Sequence, residues 1–228
     1  MPPLTILFDL DGTLIDSVEL ILRSKTYAFE SRGLTPVSDA EWLRWLGTPL
    51  RDTFRRYTDD PAEVDRFIAA YREFQLEHHD RLLRPYAGAA ETLEALRDAG
   101  HPIGIVTSKS VELSERGLDH VGLLEFVDTI VGADSTERHK PDPEPVRLGL
   151  ERLGASADRA LFVGDSVHDM NAGNAAGVVT VAALWGPFTR EDLLPSAPRY
   201  CLDRVGDLPT LAARLGAGPT ETGPRRPA

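Results

Sequence analysis

The feature that most constrains this chain is an alternation of short apolar runs with helical patterns that stop at glycine. The runs are Leu4 to Phe8, Ile103 to Val106, Thr129 to Val131, Leu161 to Val163 and Val178 to Ala182. Runs this short, free of charged residues and partly β-branched, read as strands buried on both faces. Between the later runs lie Ala89 to Ala99 before Gly100, Ser110 to His120, Glu144 to Leu153 before Gly154, and Asp169 to Ala176 before Gly177. Glycine just past a periodic segment is a helix stop, because the left-handed C-terminal conformation suits a residue without Cβ. Strand and helix in alternation predict an α/β fold with a parallel sheet.

From Asp16 to Arg84 the alternation breaks, and helix signals replace strands. Ser38-Asp39-Ala40-Glu41 has the form of a capping box, and Asp60-Pro61 places an N-cap before a first-turn proline. Phe67, Tyr71 and Phe74 follow at helical spacing. The segment therefore reads as an all-helical domain inserted after the first strand, with Pro85-Tyr86-Ala87-Gly88 as the return hinge. The expected organisation is a core of residues 1–15 and 86–215, an insert of residues 16–85, and a disordered tail from Gly216 to Ala228, which is rich in Gly and Pro without periodicity.

Composition narrows the function classes. The formal net charge of −11 over 228 residues repels phosphate backbones, so nucleic-acid and anionic-membrane binding are disfavoured. The apolar start of the chain is too short for a signal or a membrane span. A single cysteine, Cys201, allows no intrachain disulfide and no thiolate metal cluster, which fits a reducing compartment; a cytoplasmic protein is expected. Of 25 cationic side chains only Lys25, Lys109 and Lys140 are lysines, so each lysine raises the question of why arginine was not used.

Three strands end in polar groups. After the first come Asp9 and Asp11, whose i, i+2 spacing puts both carboxylates on one side. Two such charges stay ionised together only where a cation joins them; the alternative is ordinary turn chemistry, an Asp-Gly-Thr closing a strand. Another strand ends at Thr107-Ser108-Lys109, and a third at Gly164-Asp165, with Asp169 four residues further on as a metal ligand or a simple helix N-cap. Open α/β sheets bind ligands at this carboxyl edge. Carboxylates, a carbonyl and water make a hard oxygen site suited to Mg²⁺, and no Cys/His set of zinc spacing is present. A hydroxyl, strand-end amides and a lysine suit the oxygens of a phosphoryl group in transfer.

With these residues in place, the sequence resembles the haloacid dehalogenase superfamily of hydrolases that form an aspartyl phosphate. Its four motifs stand here as Asp9-Leu10-Asp11-Gly12-Thr13, Thr107, Lys140 in Lys140-Pro141-Asp142-Pro143-Glu144-Pro145, and Gly164-Asp165 with Asp169. The resemblance runs from Leu4 to about Leu211 and implies a Rossmann-like core with a helical cap after the first motif. It implies Asp9 as nucleophile and Asp11 as general acid and base. It implies Thr107 and the Ser108 amide as phosphate holders and Lys140 as the neutralising cation. Mg²⁺ would be held by Asp9, the Asp11 carbonyl, Asp165 and Asp169. Dehalogenases of the superfamily carry tyrosine at the position of Asp11 and phosphonate hydrolases a small residue, so both chemistries are disfavoured.

Substrate choice is expected in the cap, since the core meets only the phosphate. Gly47, Arg51, Ser108 and Lys109 are the candidate substrate contacts, with Arg44, the Leu46-Gly47-Thr48-Pro49 loop and Lys25 also considered. Phosphoglycolate phosphatases share the layout, including Ala172-Gly173 and Ala176-Gly177. Tyr71 to Phe74, His78-His79-Asp80 and His139 to Pro145 are similar to the small pyrophosphatases of the superfamily. The expectation is a Mg²⁺-dependent phosphatase for a small phosphate monoester, phosphoglycolate first, with pyrophosphate as the alternative. Two other readings stay open: a sugar phosphomutase, which usually has Val where Thr13 stands and a cap histidine near Ile21, and a phospho-aspartate signalling module, which needs no seventy-residue cap.

Overall fold

The computed structural model describes residues 3–217. In chain order its elements are β1 (Thr5–Phe8), β2 (Ile15–Asp16), α1 (Val18–Glu30), α2 (Asp39–Leu43), α3 (Leu50–Phe54), α4 (Pro61–Leu82), β3 (Arg84–Pro85), α5 (Ala89–Asp98), β4 (Ile103–Val106), α6 (Val111–His120), β5 (Thr129–Val131), α7 (Glu144–Arg152), β6 (Ala160–Gly164), α8 (Val167–Ala176), β7 (Val179–Ala183), α9 (Arg190–Leu193), β8 (Tyr200–Leu202) and α10 (Leu208–Gly216). Six strands form one sheet in the order β5-β4-β1-β6-β7-β8, with every pairing parallel. β1 therefore sits between β4 and β6, at the point where the strand order reverses. That is where an open α/β sheet leaves a crevice at its carboxyl edge.

Alternation along β1 explains the two layers. Ile6 and Phe8 join Ile105, Val163 and the helix residues Leu93, Leu118 and Leu211 on one face. Leu7 joins Val106, Phe162, Val146 and Leu150 on the other. All four residues of β1 are buried, which matches its uninterrupted apolar run. β8 was not expected: Tyr200-Cys201-Leu202 is a half-buried edge strand with little of the β-branched signal.

The helical insert has its own core. Phe29, Trp42, Phe54, Phe67 and Tyr71 cluster between α1, α2, α3 and α4, with the Phe54 and Phe67 rings stacked at 4.9 Å. Such aromatic pairs contribute about 0.5–1.5 kcal/mol each beyond area burial. Asp60 caps α4 by accepting from the Ala62 amide, and Ser38 caps α2 by accepting from the Glu41 amide. Where the chain leaves and re-enters the sheet, β2 and β3 pair antiparallel, Ile15 with Pro85 and Asp16 with Arg84. The expected hinge is thus a two-residue ladder that fixes both ends of the insert together.

Two expectations need correction. Lys25 is not a substrate contact; it is buried inside the insert, where its ammonium donates to Val37 O at 2.8 Å and Asp39 Oδ1 at 2.6 Å and so ties α1 to the start of α2. Gly216 does not begin the tail but is the buried last residue of α10; from 218 onward the expected tail lies outside the described residues.

Candidate active site

Asp9, Thr107 and Asp165 each follow the last residue of a neighbouring strand, β1, β4 and β6, so the parallel register delivers them to one edge. Their position at that edge is what the strand-end argument anticipated. Asp9, Thr107, Asp165 and Asp169 are all buried. Asp9, Asp165 and Asp169 bring carboxylate oxygens within 4.8 Å of one another. Burial is the main cause that pushes Asp9 up to about 7; Asp169 and Asp11 add to the rise and Lys140 opposes it. Asp165 is held well above the usual carboxylate range, again by burial first and then by Asp9 and Asp169.

Lys140 reaches this cluster from the loop before α7. Its ammonium lies 2.7 Å from Asp9 Oδ1, 2.6 Å from Asp169 Oδ1 and 3.1 Å from Val106 O, so its three donors have three acceptors. Burial disfavours its charge, but Asp169 and Asp9 outweigh burial and raise its pKa above the ordinary lysine value.

Asp169 belongs both to the carboxylate cluster and to the cap of α8. The N-cap of α8 is Ser166, and Asp169 is the third helical residue, completing a capping box. Its Oδ2 accepts from the Ser166 amide at 3.0 Å and hydroxyl at 2.6 Å, leaving Oδ1 for Lys140. Helix capping therefore aims Oδ1 at Lys140.

Asp11 stands at the rim. Its Oδ1 accepts from Ser17 Oγ at 2.6 Å and Lys109 Nζ at 2.8 Å. Lys109 is thus a partner of Asp11, not a solvated cation. The Ser108 hydroxyl donates to the carbonyl of Gly47, which joins the loop after β4 to the insert. Arg51 borders the same cleft, with its guanidinium on Asp65 at 2.6 Å.

Ser17 and Trp185 escaped the sequence, as did the reason position 12 is glycine. Ser17 orients Asp11, and the Trp185 indole donates to Thr13 O at 2.8 Å. Gly12 has φ +87°, and a Cβ there would stand 2.4 Å from Asp165 Oδ2; only glycine allows both the turn and the approach. Trp185 and Gly186 follow β7 at the same sheet edge, so the strand-end rule, applied once more, would have pointed to them.

The carboxylates and the insert enclose a cleft of about 390 Å³, bordered by Asp9, Asp11 and Thr107 below and by α3, α4 and the Gly47 loop above. An all-oxygen cluster suits a hard divalent cation. Asp165 Oδ2 is buried without a hydrogen-bond partner among the described residues, an orphaned acceptor that such a cation would satisfy.

Comparison with known proteins agrees with this geometry. The haloacid dehalogenase-like hydrolase family matches residues 6–183. Pyrophosphatase PpaX of Bacillus mycoides is 39% identical over 211 residues, covering 92% of this chain and 97% of the relative. Pyrophosphatase PpaX of Bacillus velezensis is 40% identical over 203 residues, covering 89% and 93%. Among solved structures, a predicted phosphoglycolate phosphatase from Haemophilus somnus superposes with a TM-score of 0.82 at 25% identity, covering 92% of this chain and 97% of that one. A haloacid dehalogenase-like family hydrolase from Streptococcus pneumoniae superposes at 0.79 with 26% identity, covering 93% and 98%. Among the described residues no helix is long and apolar enough to cross a membrane. With the motifs gathered at the edge of the sheet and the family matched across most of its length, the chain belongs to the haloacid dehalogenase-like hydrolases.

Proposed function

We propose that this protein is a Mg²⁺-dependent phosphohydrolase of a small phosphorylated anion, pyrophosphate first, working through an aspartyl phosphate on Asp9. The observation that carries the reading is Asp9 itself, buried at the sheet's reversal point and held between Lys140 and the carboxylates of Asp165 and Asp169. Curated relatives at 39–40% identity are pyrophosphatases, which moves pyrophosphate ahead of phosphoglycolate. The fold of a phosphoglycolate phosphatase keeps the latter as second substrate to test. Residues 16–85 act as the cap and residues 1–15 with 86–215 as the core.

The Asp9 carboxylate attacks phosphorus while the bond to the leaving oxygen breaks, and the Asp11 carboxyl gives that oxygen its proton. Thr107 and the Ser108 amide hold the phosphoryl oxygens, and Lys140 offsets their charge. Asp11, now a carboxylate, takes a proton from the water that attacks the aspartyl phosphate, releasing phosphate and restoring Asp9. Asp9, the Asp11 carbonyl, Asp165 and Asp169 would hold Mg²⁺. When bound, the ion supplies charge neutralisation between nucleophile and phosphate. The cap closes the cleft against bulk water.

The test is phosphate release with Mg²⁺ from pyrophosphate, phosphoglycolate, a sugar phosphate and a nucleotide, with Asp9→Asn as the blank. The variant is expected to lose more than about 10³-fold in kcat while remaining folded by circular dichroism. Substantial residual turnover would remove the covalent mechanism.

A further inference from the structure

We propose that Arg72 and Gln75 form a second anion subsite, which binds a negatively charged leaving group opposite Asp9. The inference rests on the phosphohydrolase reading and adds the residues that select an anionic leaving group. Ile68, Tyr71, Arg72 and Gln75 all border the cleft; their spacing is i, i+3, i+4, i+7, one face of α4. Ile68 and Tyr71 are buried in the cap core, whereas Arg72 is exposed and Gln75 half-buried. The face thus turns polar where it meets the cleft.

Pairing separates Arg72 from the other cations around the cleft. Lys140 is held by Asp9 and Asp169, Lys109 by Asp11 and Arg51 by Asp65. Arg72 makes no ion pair and no side-chain hydrogen bond among the described residues. The Gln75 amide reaches the Tyr71 hydroxyl only at 3.5 Å, the outer limit of a hydrogen bond, so its donors are available. In a chain of net charge −11, an uncommitted guanidinium facing a cleft whose floor carries Asp9 and Asp11 is matched to an anion. A neutral alcohol leaving group needs no such cation. A leaving phosphate or carboxylate does, because the floor carboxylates repel it, and a guanidinium can bind either through two parallel donors. The cleft, at about 390 Å³, has the size of a small-ligand site.

The experiment compares kcat/KM for pyrophosphate, phosphoglycolate and 2-hydroxyethyl phosphate, the last being a near-isostere of phosphoglycolate with a neutral leaving group. Wild type, Arg72→Gln, Arg72→Lys and Gln75→Leu are measured in parallel. Arg72→Gln is expected to lower the ratio of anionic to neutral substrates about 10- to 100-fold, as for a lost charge-assisted hydrogen bond. Arg72→Lys should restore part of the ratio and Gln75→Leu should lose less. A loss confined to pyrophosphate assigns a phosphate subsite, and one confined to phosphoglycolate a carboxylate subsite. A ratio within twofold of wild type in Arg72→Gln overturns the subsite while leaving the phosphohydrolase intact. A wild-type protein that releases phosphate from none of the three overturns the phosphohydrolase reading, and the subsite with it.

Discussion

The Lys140 ammonium stands 2.6 Å from Asp169 Oδ1, while the other oxygen of the same carboxylate caps α8 through Ser166. Helix, carboxylate and lysine are therefore one rigid chain of hydrogen bonds, and its far end is Asp9. A fault in this chain should register in stability as well as in turnover.

Lys140→Met leaves Asp9 and Asp169 buried without their cation. Breaking a buried ion pair from one side costs about 3–5 kcal/mol, so urea unfolding in chelator is expected to show a loss of that size. Turnover should fall by more than about 10³-fold. Lys140→Arg should not recover activity, because a planar fork cannot converge on three acceptors as an ammonium does. A Met variant as stable as wild type would mean that the carboxylates do not depend on Lys140.

Mg²⁺ should stabilise the fold independently of catalysis. Asp9 and Asp165 are both pushed above their ordinary pKa by burial first and then by neighbouring carboxylates, Asp169 and Asp11 for the one and Asp9 and Asp169 for the other, so a cation among them lowers the energy of the folded state. At roughly 100 times its dissociation constant, such an ion adds about 2.7 kcal/mol, visible as a rise in Tm with no substrate present. Asp165→Asn should remove most of this rise. A melting point indifferent to Mg²⁺ in wild type would argue against the site.

Much of this was readable because the chemistry sits immediately after buried strands. Phe8, Val106 and Gly164 end β1, β4 and β6, and the next residue in each case is a candidate site residue. Register then does what sequence order cannot, setting the three side by side. The scarcity of lysine served less evenly. It pointed to Lys140, which is in the site, and with equal force to Lys25, which is buried in the cap on Val37 and Asp39. Scarcity signals that an ammonium is required, not where. Arg72 lies in a stretch whose similarity to the small pyrophosphatases was legible, but its role was not: among many arginines, only pairing in three dimensions shows which one is uncommitted. The edge strand β8 was missed because Tyr200-Cys201-Leu202 is half-buried and lacks the apolar run that marked the central strands.

Lys25→Met tests that distinction. The substitution removes the donor to Val37 O and leaves Asp39 unpaired, while the aliphatic stem can still pack. A loss of about 1–3 kcal/mol is expected from the unsatisfied carbonyl and the broken contact, read by thermal or urea unfolding. KM should stay within about twofold for every substrate, since the ammonium never reaches the cleft. A marked KM change in a variant of unaltered stability would return Lys25 to the list of substrate contacts.

His79 should make stability pH-dependent where cap meets core. Its ring is buried on α4, with Nδ1 2.6 Å from Asp80 Oδ1 and Nε2 without a hydrogen-bond partner among the described residues. Arg116 and His120 of α6 face it from the core, Arg116 reaching Asp80 at 3.2 Å, and Lys109 is near enough to add its charge. Burial chiefly lowers its pKa from 6.5, helped by Lys109 and Arg116 and opposed by Asp80. Below pH 6.5 the unfolded chain therefore binds a proton that the folded protein refuses, and stability falls with falling pH. Above pH 7 this contribution is flat. Asp9, raised to about 7, contributes the opposite slope, but equally in wild type and His79→Gln. The difference between their urea midpoints should thus shrink as pH drops from 7.5 to 5.5. A difference constant across that range would mean that His79 is protonated alike in both states.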